Sequence, residues 1–461
     1  MVMKVCRSST TGRLVVARGI LVLLLVSAGA QAQFLYSTND GAIRILGYTG
    51  PGGAVNIPAT LDGLPVTSIG AQAFYGSTNL TSVTIPSGVT DIGKSAFWFC
   101  DGLTNVTIPD SVTDLEDSAF ASCHNLASID LGNGIASIGS DAFAHCTGLT
   151  NVAFPNSLVS IGDKAFFQCR SLAKITLPGS ITDIGRFAFY QCVGVTNVEI
   201  ESAVPAENAV TSLGSSAFGG CTNLLNLFVG RNVRTFDLGA FPGCTSLANA
   251  SIGNGVTFIG AWAFAGLNNL SEITIPWSVT SIGTSAFLGC SRLSEISIPY
   301  GVTNIGNGCF EGTSLTNVTI PAGVSYFYTS AFRGCTSLTG LYFRGNVPRV
   351  CCSDLQPGVT VYYSPEAWGW GTTFAGRPTQ PWYPPPTPPQ VAMVHVGIQM
   401  DLFGFIITGT SNLVVVVEGC TNLVIPQWQA VQTNTLTDGL AYLSEPGWAN
   451  FPARFYRLRS R

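Results

Sequence analysis

Cys100-Asp-Gly-Leu-Thr-Asn-Val-Thr-Ile-Pro109, then Asp110-Ser-Val-Thr-Asp-Leu115, then Glu116-Asp-Ser-Ala-Phe120, is the stretch that decides the fold. From Leu103 to Ile108 apolar and polar residues alternate, as in a strand with one buried face, and Pro109 ends it because proline has no donor for a ladder. Val112 and Leu115 begin a second, shorter extended or turn segment. Ser118-Ala119-Phe120 has room for no more than one helical turn, which drops Phe120 into the interior.

The same unit recurs on both sides. Ala-Phe or a close variant places Phe at 74, 97, 120, 143, 166, 189, 218, 241, 264, 287, 310 and 332, at intervals of 23 residues with one of 29 and one of 22. Five residues before each Phe lies an apolar residue, usually the Ile of an Ile-Gly pair, as at Ile92, Ile138, Ile184 and Ile282. One such unit cannot bury its Phe, Leu, Val and Ile while also pairing its strand edges, and stacked units do both. Strands about 4.8 Å apart predict a rod of very roughly 55 Å for twelve coils.

The pattern C-x-x-L-x-x-V-x-I-P-x-x-V-T-x-I-G-x-x-A-F resembles the BspA-type subgroup of leucine-rich repeats, over roughly residues 60 to 345. It departs from the better-known leucine-rich consensus, with Val and Ile largely replacing all but one Leu per unit and with Phe in the turn. The resemblance implies a curved or gently twisted solenoid, an export route, and adhesion or recognition at a cell surface; it carries over no catalytic residue and no cofactor. The expected fold is a β-rich leucine-rich-repeat solenoid of about twelve 23-residue coils with a small all-β module at the C-terminus.

Composition agrees with strands and turns. Of 461 residues, 10% are charged and 52 are glycine, and Ser, Thr and Asn dominate the polar positions, which argues against a long helical bundle. Lys4, Arg7, Arg13 and Arg18, the apolar run from Gly19 to Val26 and the small residues ending at Ala30-Gln31-Ala32 read as an export signal over residues 1–32. The alternative is an N-terminal membrane anchor, although the apolar run is short for a span. Without residues 1–32 the chain carries 17 basic against 25 acidic side chains, a balance that argues against nucleic acid.

Residues 33–59, with Asn39-Asp40-Gly41 as a hairpin turn, read as an N-terminal cap, residues 60–339 as the solenoid, and residues 340–380, with Val359 to Tyr363, Trp368 and Trp370, as a C-terminal cap. About six extra residues between Glu199 and Val210 account for the 29-residue interval and map to a loop. Six prolines between Pro381 and Pro389 make residues 381–390 a stiff linker. Residues 391–461 form a separate β-rich module, with strands at Phe403 to Ile407 and Leu413 to Val417 and a turn at Gly409 to Asn412. Its Arg454-to-Arg461 ending is similar to tail modules of secreted Verrucomicrobia-type proteins, which implies surface retention or sorting, against a plain accessory domain.

Four sets of residues could carry chemistry. Cys100, Cys123, Cys146, Cys169, Cys192, Cys221, Cys244, Cys290 and Cys335 each follow a repeat Phe by three and form a column, read as buried thiols filling space rather than disulfides; any disulfide is expected at Cys309, Cys351, Cys352 or Cys420. No C-x-x-C pair or clustered His accompanies them, so no metal is expected. His124 and His145 sit at turns, with no Ser or Asp partner at the matching place in neighbouring coils. Asp91, Asp114 and Asp183 recur before the Ile-Gly pair as solvated turn residues rather than a calcium site.

The residue after the repeat Phe is the fourth set. It is Tyr75, Trp98, Ala121, Ala144, Phe167 and Tyr190 in the first six units, and in the last six the aromatics vanish and the following residue is always Gly. Tyr75, Trp98, Phe99, Phe167 and Tyr190 therefore form either an outward aromatic strip for protein or sugar contact, or extra core tucked between turns.

Catalysis lacks its residues here, since no nucleophile-elbow, zinc-protease or phosphate-loop motif occurs. The expected function is non-catalytic binding or adhesion to an extracellular protein or polysaccharide by a secreted or surface-exposed protein. The alternative is a passive spacer of the envelope or matrix tethered by residues 391–461.

Overall fold

The computed structural model describes residues 33–201, 212–231, 233–351 and 355–383, and strand segments at 16–17, 20–21, 390–392, 402–408, 414–420, 428–435, 440–446 and 455–460. The export-signal reading of residues 1–32, the insertion at 202–211 and the prolines at 384–389 lie outside the described residues, apart from the two short strand pieces at 16–17 and 20–21. Two compact units divide the chain, Met1–Gln380 and Pro381–Arg461.

In the first unit, each coil lies beside the next with equivalent residues opposite each other. The alternating segment forms the first parallel ladder: Asn105 pairs with Ser82 and Ser128, and Val106 with Val83 and Ile129. This ladder runs through Asn151–Ala153, resumes at Lys174–Leu177 and extends through Asn197–Ile200, Asn226–Val229 and Asn249–Ile252 to Glu272–Thr274. It continues in a further sheet from Asn317–Ile320 to Gly340–Phe343 and Thr360–Tyr363. Outward and inward residues alternate as the sequence pattern requires, with Val106 and Ile108 buried and Asn105 and Thr107 exposed.

The second segment shrinks to two-residue strands such as Asp91–Ile92, Asp114–Leu115 and Ser137–Ile138, which also pair in parallel from coil to coil. In the coil that follows the insertion Leu213 alone keeps this register, by single bridges to Ile184 and Phe236, and the two-residue strands resume at Thr235–Phe236 and run to Asn304–Ile305. The Gly of the Ile-Gly pair is needed where consecutive coils approach. A Cβ on Gly93 would lie 2.7 Å from Ala71 N, and one on Gly162 2.6 Å from Ser140 N. An antiparallel pair, Phe34–Asn39 with Ala42–Tyr48, turns through Asp40 and Gly41 at φ 47° and 78° and leads into the second ladder.

The turn differs from the expected helical turn. Two residues per coil take left-handed φ, two before and two after the repeat Phe, as at Ser118 (56°) and Ser122 (58°) around Phe120. Amides then alternate in direction: Ser118, Phe120 and Ser122 donate to Ser140, Ala142 and Ala144 of the next coil, while Ala119 and Ala121 donate back within their own. A right-handed helical turn would point all these amides along its own axis and leave the coils unpaired there. Only in the last coil does Thr329–Phe332 form a short 3-10 helix.

Inside, the twelve repeat Phe rings make one continuous column. Successive rings from Phe74 to Phe332 stack at 4.8 to 5.6 Å, with interplanar angles of 3° to 23°. The repeat spacing imposes this parallel arrangement, because equivalent side chains are translated by one coil.

The cysteines do more than fill space. Each of the nine column thiols is free and buried and donates from Sγ to the carbonyl of the repeat Phe one coil earlier, at 3.0 to 3.3 Å. That carbonyl also accepts the backbone N–H three residues on in its own coil, as Phe97 O does from Cys100, so both its lone pairs are used. Burial pushes the Cys290 thiol up from its ordinary 9.0 to about 12 and holds Cys169, Cys192 and Cys309 well above that ordinary value. Cys309, expected as a disulfide candidate, is a free buried thiol; Cys352 and the Cys420 side chain lie outside the described residues.

The second unit holds two three-stranded antiparallel sheets. Leu402–Thr408 pairs with Gln390–Ala392 and Leu440–Pro446, while Val414–Cys420 pairs with Gln429–Thr435 and Phe455–Ser460. The strands on either side of Gly409 to Asn412 therefore belong to different sheets and do not pair with each other. Val415, Val416 and Val417 are all buried, so the central strand of its sheet is covered on both faces.

Candidate functional site

On the first ladder, the outward residues of five successive coils line a groove of about 590 Å³. Parallel in-register pairing brings the first residue of each strand into a row, Lys174, Asn197, Asn226, Asn249 and Glu272. The third residues form a second row beside it, which includes Glu199, Phe228, Ser251 and Thr274.

The asparagines are joined along the row. Asn226 Nδ2 donates to Asn197 Oδ1 at 2.9 Å, and Asn249 Nδ2 donates to Asn226 Oδ1 at 3.2 Å. At one end, Asn197 Nδ2 donates to Thr196 Oγ1 at 2.9 Å, and Lys174 Nζ lies 3.5 Å from Glu199. That ion pair is half exposed and contributes little to stability; its consequence is to offset the one cation of the groove. Phe228 stands 46% exposed in the middle of the second row, where the other coils of the groove carry Thr176, Glu199, Ser251 and Thr274.

This groove was not among the sequence-derived candidates. Its signal was present as an Asn two residues after the repeat Leu or Val, at 105, 151, 197, 226, 249 and 317. Read singly these residues are ordinary strand polars. The register makes three of them consecutive and sets Phe228 beside them.

The predicted aromatics fall into two clusters. Tyr75 meets Trp98 edge-on at 5.6 Å, Trp98 stacks on Phe99 at 5.6 Å, and Phe99 lies 6.4 Å from the His124 ring. Phe167 stacks on Tyr190 at 5.5 Å, flanked by His145 and Phe187. Buried Ala121 and Ala144 stand between the clusters. Tyr75 and Phe99 are exposed and Trp98, Phe167 and Tyr190 are half-buried, so these residues are neither a continuous strip nor wholly core. Trp98 Nε1 is buried with no hydrogen-bond partner.

One expectation about histidine is corrected. His124 does have a partner at the matching place one coil back: its Nδ1 lies 2.6 Å from Asp101 Oδ1, and its backbone amide donates to the same oxygen at 3.3 Å. Both residues directly follow a column Cys, so the repeat places them side by side. Asp91 and Asp114 accept from the neighbouring Thr90 and Thr113 hydroxyls, and Asp114 also accepts from Ser137 across the coils. Among the described residues no three His, Cys, Asp or Glu gather to hold a metal, and no helix is long and apolar enough to cross a membrane.

Six copies of the repeat described as BspA type leucine rich repeat region match within residues 55–151, 136–269 and 211–339. A leucine-rich repeat protein of Bacteroides ovatus is 25% identical, covering 72% of this chain and 93% of its own, with a TM-score of 0.47. The leucine-rich repeat protein of T. pallidum is 29% identical over 52% of this chain and 89% of its own, with a TM-score of 0.34. A leucine rich cell surface protein of Faecalibacterium prausnitzii is 26% identical over 68% of this chain and 94% of its own, with a TM-score of 0.34. Among curated proteins none matches.

Proposed function

The chain belongs to the BspA-type leucine-rich repeat family, and from that premise we propose that it is a non-catalytic binding protein, secreted or held at the cell surface, whose groove around Asn226 and Phe228 contacts an extracellular protein or polysaccharide. The observation that carries this reading is the groove itself. In-register stacking turns single strand residues into rows of coupled amides beside an exposed aromatic ring, and such rows suit recognition of an extended ligand. Export is supported by the basic leader, apolar run and small residues of positions 1–32.

The turn aromatics are a second contact surface. Tyr75 and Phe99 offer exposed rings, held by Trp98 beneath them. Phe167 and Tyr190 offer the edge of a stacked pair.

The test compares the two surfaces. The full chain is immobilised and offered soluble extracellular matrix proteins and polysaccharides, with Asn226→Ala and Phe228→Ala for the groove and Trp98→Ala and Tyr190→Ala for the turns. Loss of a saturable interaction in the groove variants is expected, with a smaller loss in the turn variants. If neither set alters any interaction, both surfaces are rejected.

A further inference from the structure

We propose that the ligand of the Asn226 groove is a neutral polysaccharide of equatorially linked pyranose rings, lying along the solenoid axis with one ring per coil; this rests on the groove being the binding site. The hydrogen-bonding inventory points to sugar hydroxyls. A side-chain amide offers two N–H donors and an oxygen with two lone pairs. Asn197 and Asn226 each spend one donor and one lone pair on the ladder, so each of these two central rungs keeps a donor and an acceptor for a ligand. A hydroxyl is donor and acceptor at once and satisfies both.

Spacing separates a glycan from a peptide. Rungs recur about every 4.8 Å, whereas an extended peptide advances about 3.3 Å per residue and loses register within a few rungs. A chain of equatorially linked pyranoses advances by nearly one rung per ring. Axially linked chains coil and cannot follow a straight row.

Phe228, exposed in the middle of the second row, offers a flat apolar surface for the C–H face of one ring. Charge selects among polymers. Glu199 offsets Lys174 at 3.5 Å, and Glu272 at the far end leaves the groove net negative, which repels uronate or sulfated chains.

Affinity electrophoresis and calorimetry on the full chain test the assignment. The ligands are soluble glucomannan, xyloglucan and xylan, with amylose and alginate as controls and an extended-peptide array as the rival. Saturable binding to an equatorially linked neutral polymer is expected, with none to amylose or alginate. Affinity should rise along an oligosaccharide series and level off near five rings, one for each strand of the row. Asn226→Ala and Phe228→Ala, both exposed positions, should each weaken binding about tenfold or more at an unchanged unfolding midpoint.

Failure to bind any of these polysaccharides, binding unaffected by either substitution, or affinity that does not depend on chain length overturns the glycan assignment. Peptide or matrix-protein binding that the same substitutions abolish, without glycan binding, overturns the glycan and leaves the groove as a protein site. If the groove substitutions change no binding of any kind, both readings fall.

Discussion

The first six coils and the last six share one backbone and differ two residues after the repeat Phe, a position that is Gly in all of the last six and, among the first six, only at Gly76. Two residues after the repeat Phe, φ is 57° to 62° at Phe99, Ser122, His145, Gln168 and Gln191, and 69° to 75° at Gly220, Gly243, Gly266, Gly289, Gly312 and Gly334. A left-handed conformation costs a side-chain-bearing residue roughly 1–2 kcal/mol, and glycine essentially nothing. The amino-terminal coils accept that cost and put the side chains to use. Phe99 stacks on Trp98, His145 meets Phe167, and Gln168 Nε2 donates to Gln191 Oε1 at 2.7 Å. Left-handed φ is therefore the backbone requirement; Gly meets it without cost in the later coils and at Gly76, and the five coils from Phe99 to Gln191 keep side chains at the turn.

If the two halves share one core, cutting it in either should hurt equally. Phe143→Ala and Phe264→Ala remove completely buried rings from the same column, and each should cost about 3–5 kcal/mol in denaturant unfolding. A loss confined to one half would break the comparison.

The thiols supply the next largest effect. Raised folded-state pKa values mean that the native protein keeps its thiol protons where the unfolded chain releases them. Stability is fully present below the ordinary value of 9.0 and falls as pH rises from there toward about 12, the folded value for Cys290. Unfolding midpoints at neutral pH and at about pH 11 should show this loss, and Cys290→Val should reduce it. Alkylation in the native state should spare the column and proceed once the chain unfolds.

Smaller effects probe the turn itself. A Cβ on Gly266 meets nothing within 4 Å, so Gly266→Gln isolates backbone strain and should cost about 1–2 kcal/mol. The reverse change, Gln168→Gly, relieves that strain but loses the bond to Gln191 and the one accepted from Arg170, both near the surface, and the two effects should cancel to within about 0.5 kcal/mol. A large loss at Gln168 would mean that its side-chain contacts outweigh the backbone term.

The repeat fold was legible because every coil repeats the same instructions. Alternation from Leu103 to Ile108, the closing Pro109 and the inward Phe120 are local signals, and twelve copies make them unmistakable. The turn was misread as helical because Ser118-Ala119-Phe120 contains no residue that demands left-handed φ; the pairing with the next coil imposes it. The Asp101–His124 contact and the Asn197–Asn226–Asn249 ladder went unseen for a related reason. Each joins residues 23 or 29 positions apart that are unremarkable alone and meet only across the coil boundary.

Sequence by itself thus determined the period, the strands, the buried Phe and Cys columns and the membership of a repeat family, since burial and alternation are properties of one coil. Tertiary structure alone decided which outward residues become neighbours, because parallel stacking converts a separation along the chain into a distance of about 4.8 Å. It is that conversion which sets Phe228 beside the coupled asparagines and splits the turn aromatics at Ala121 and Ala144.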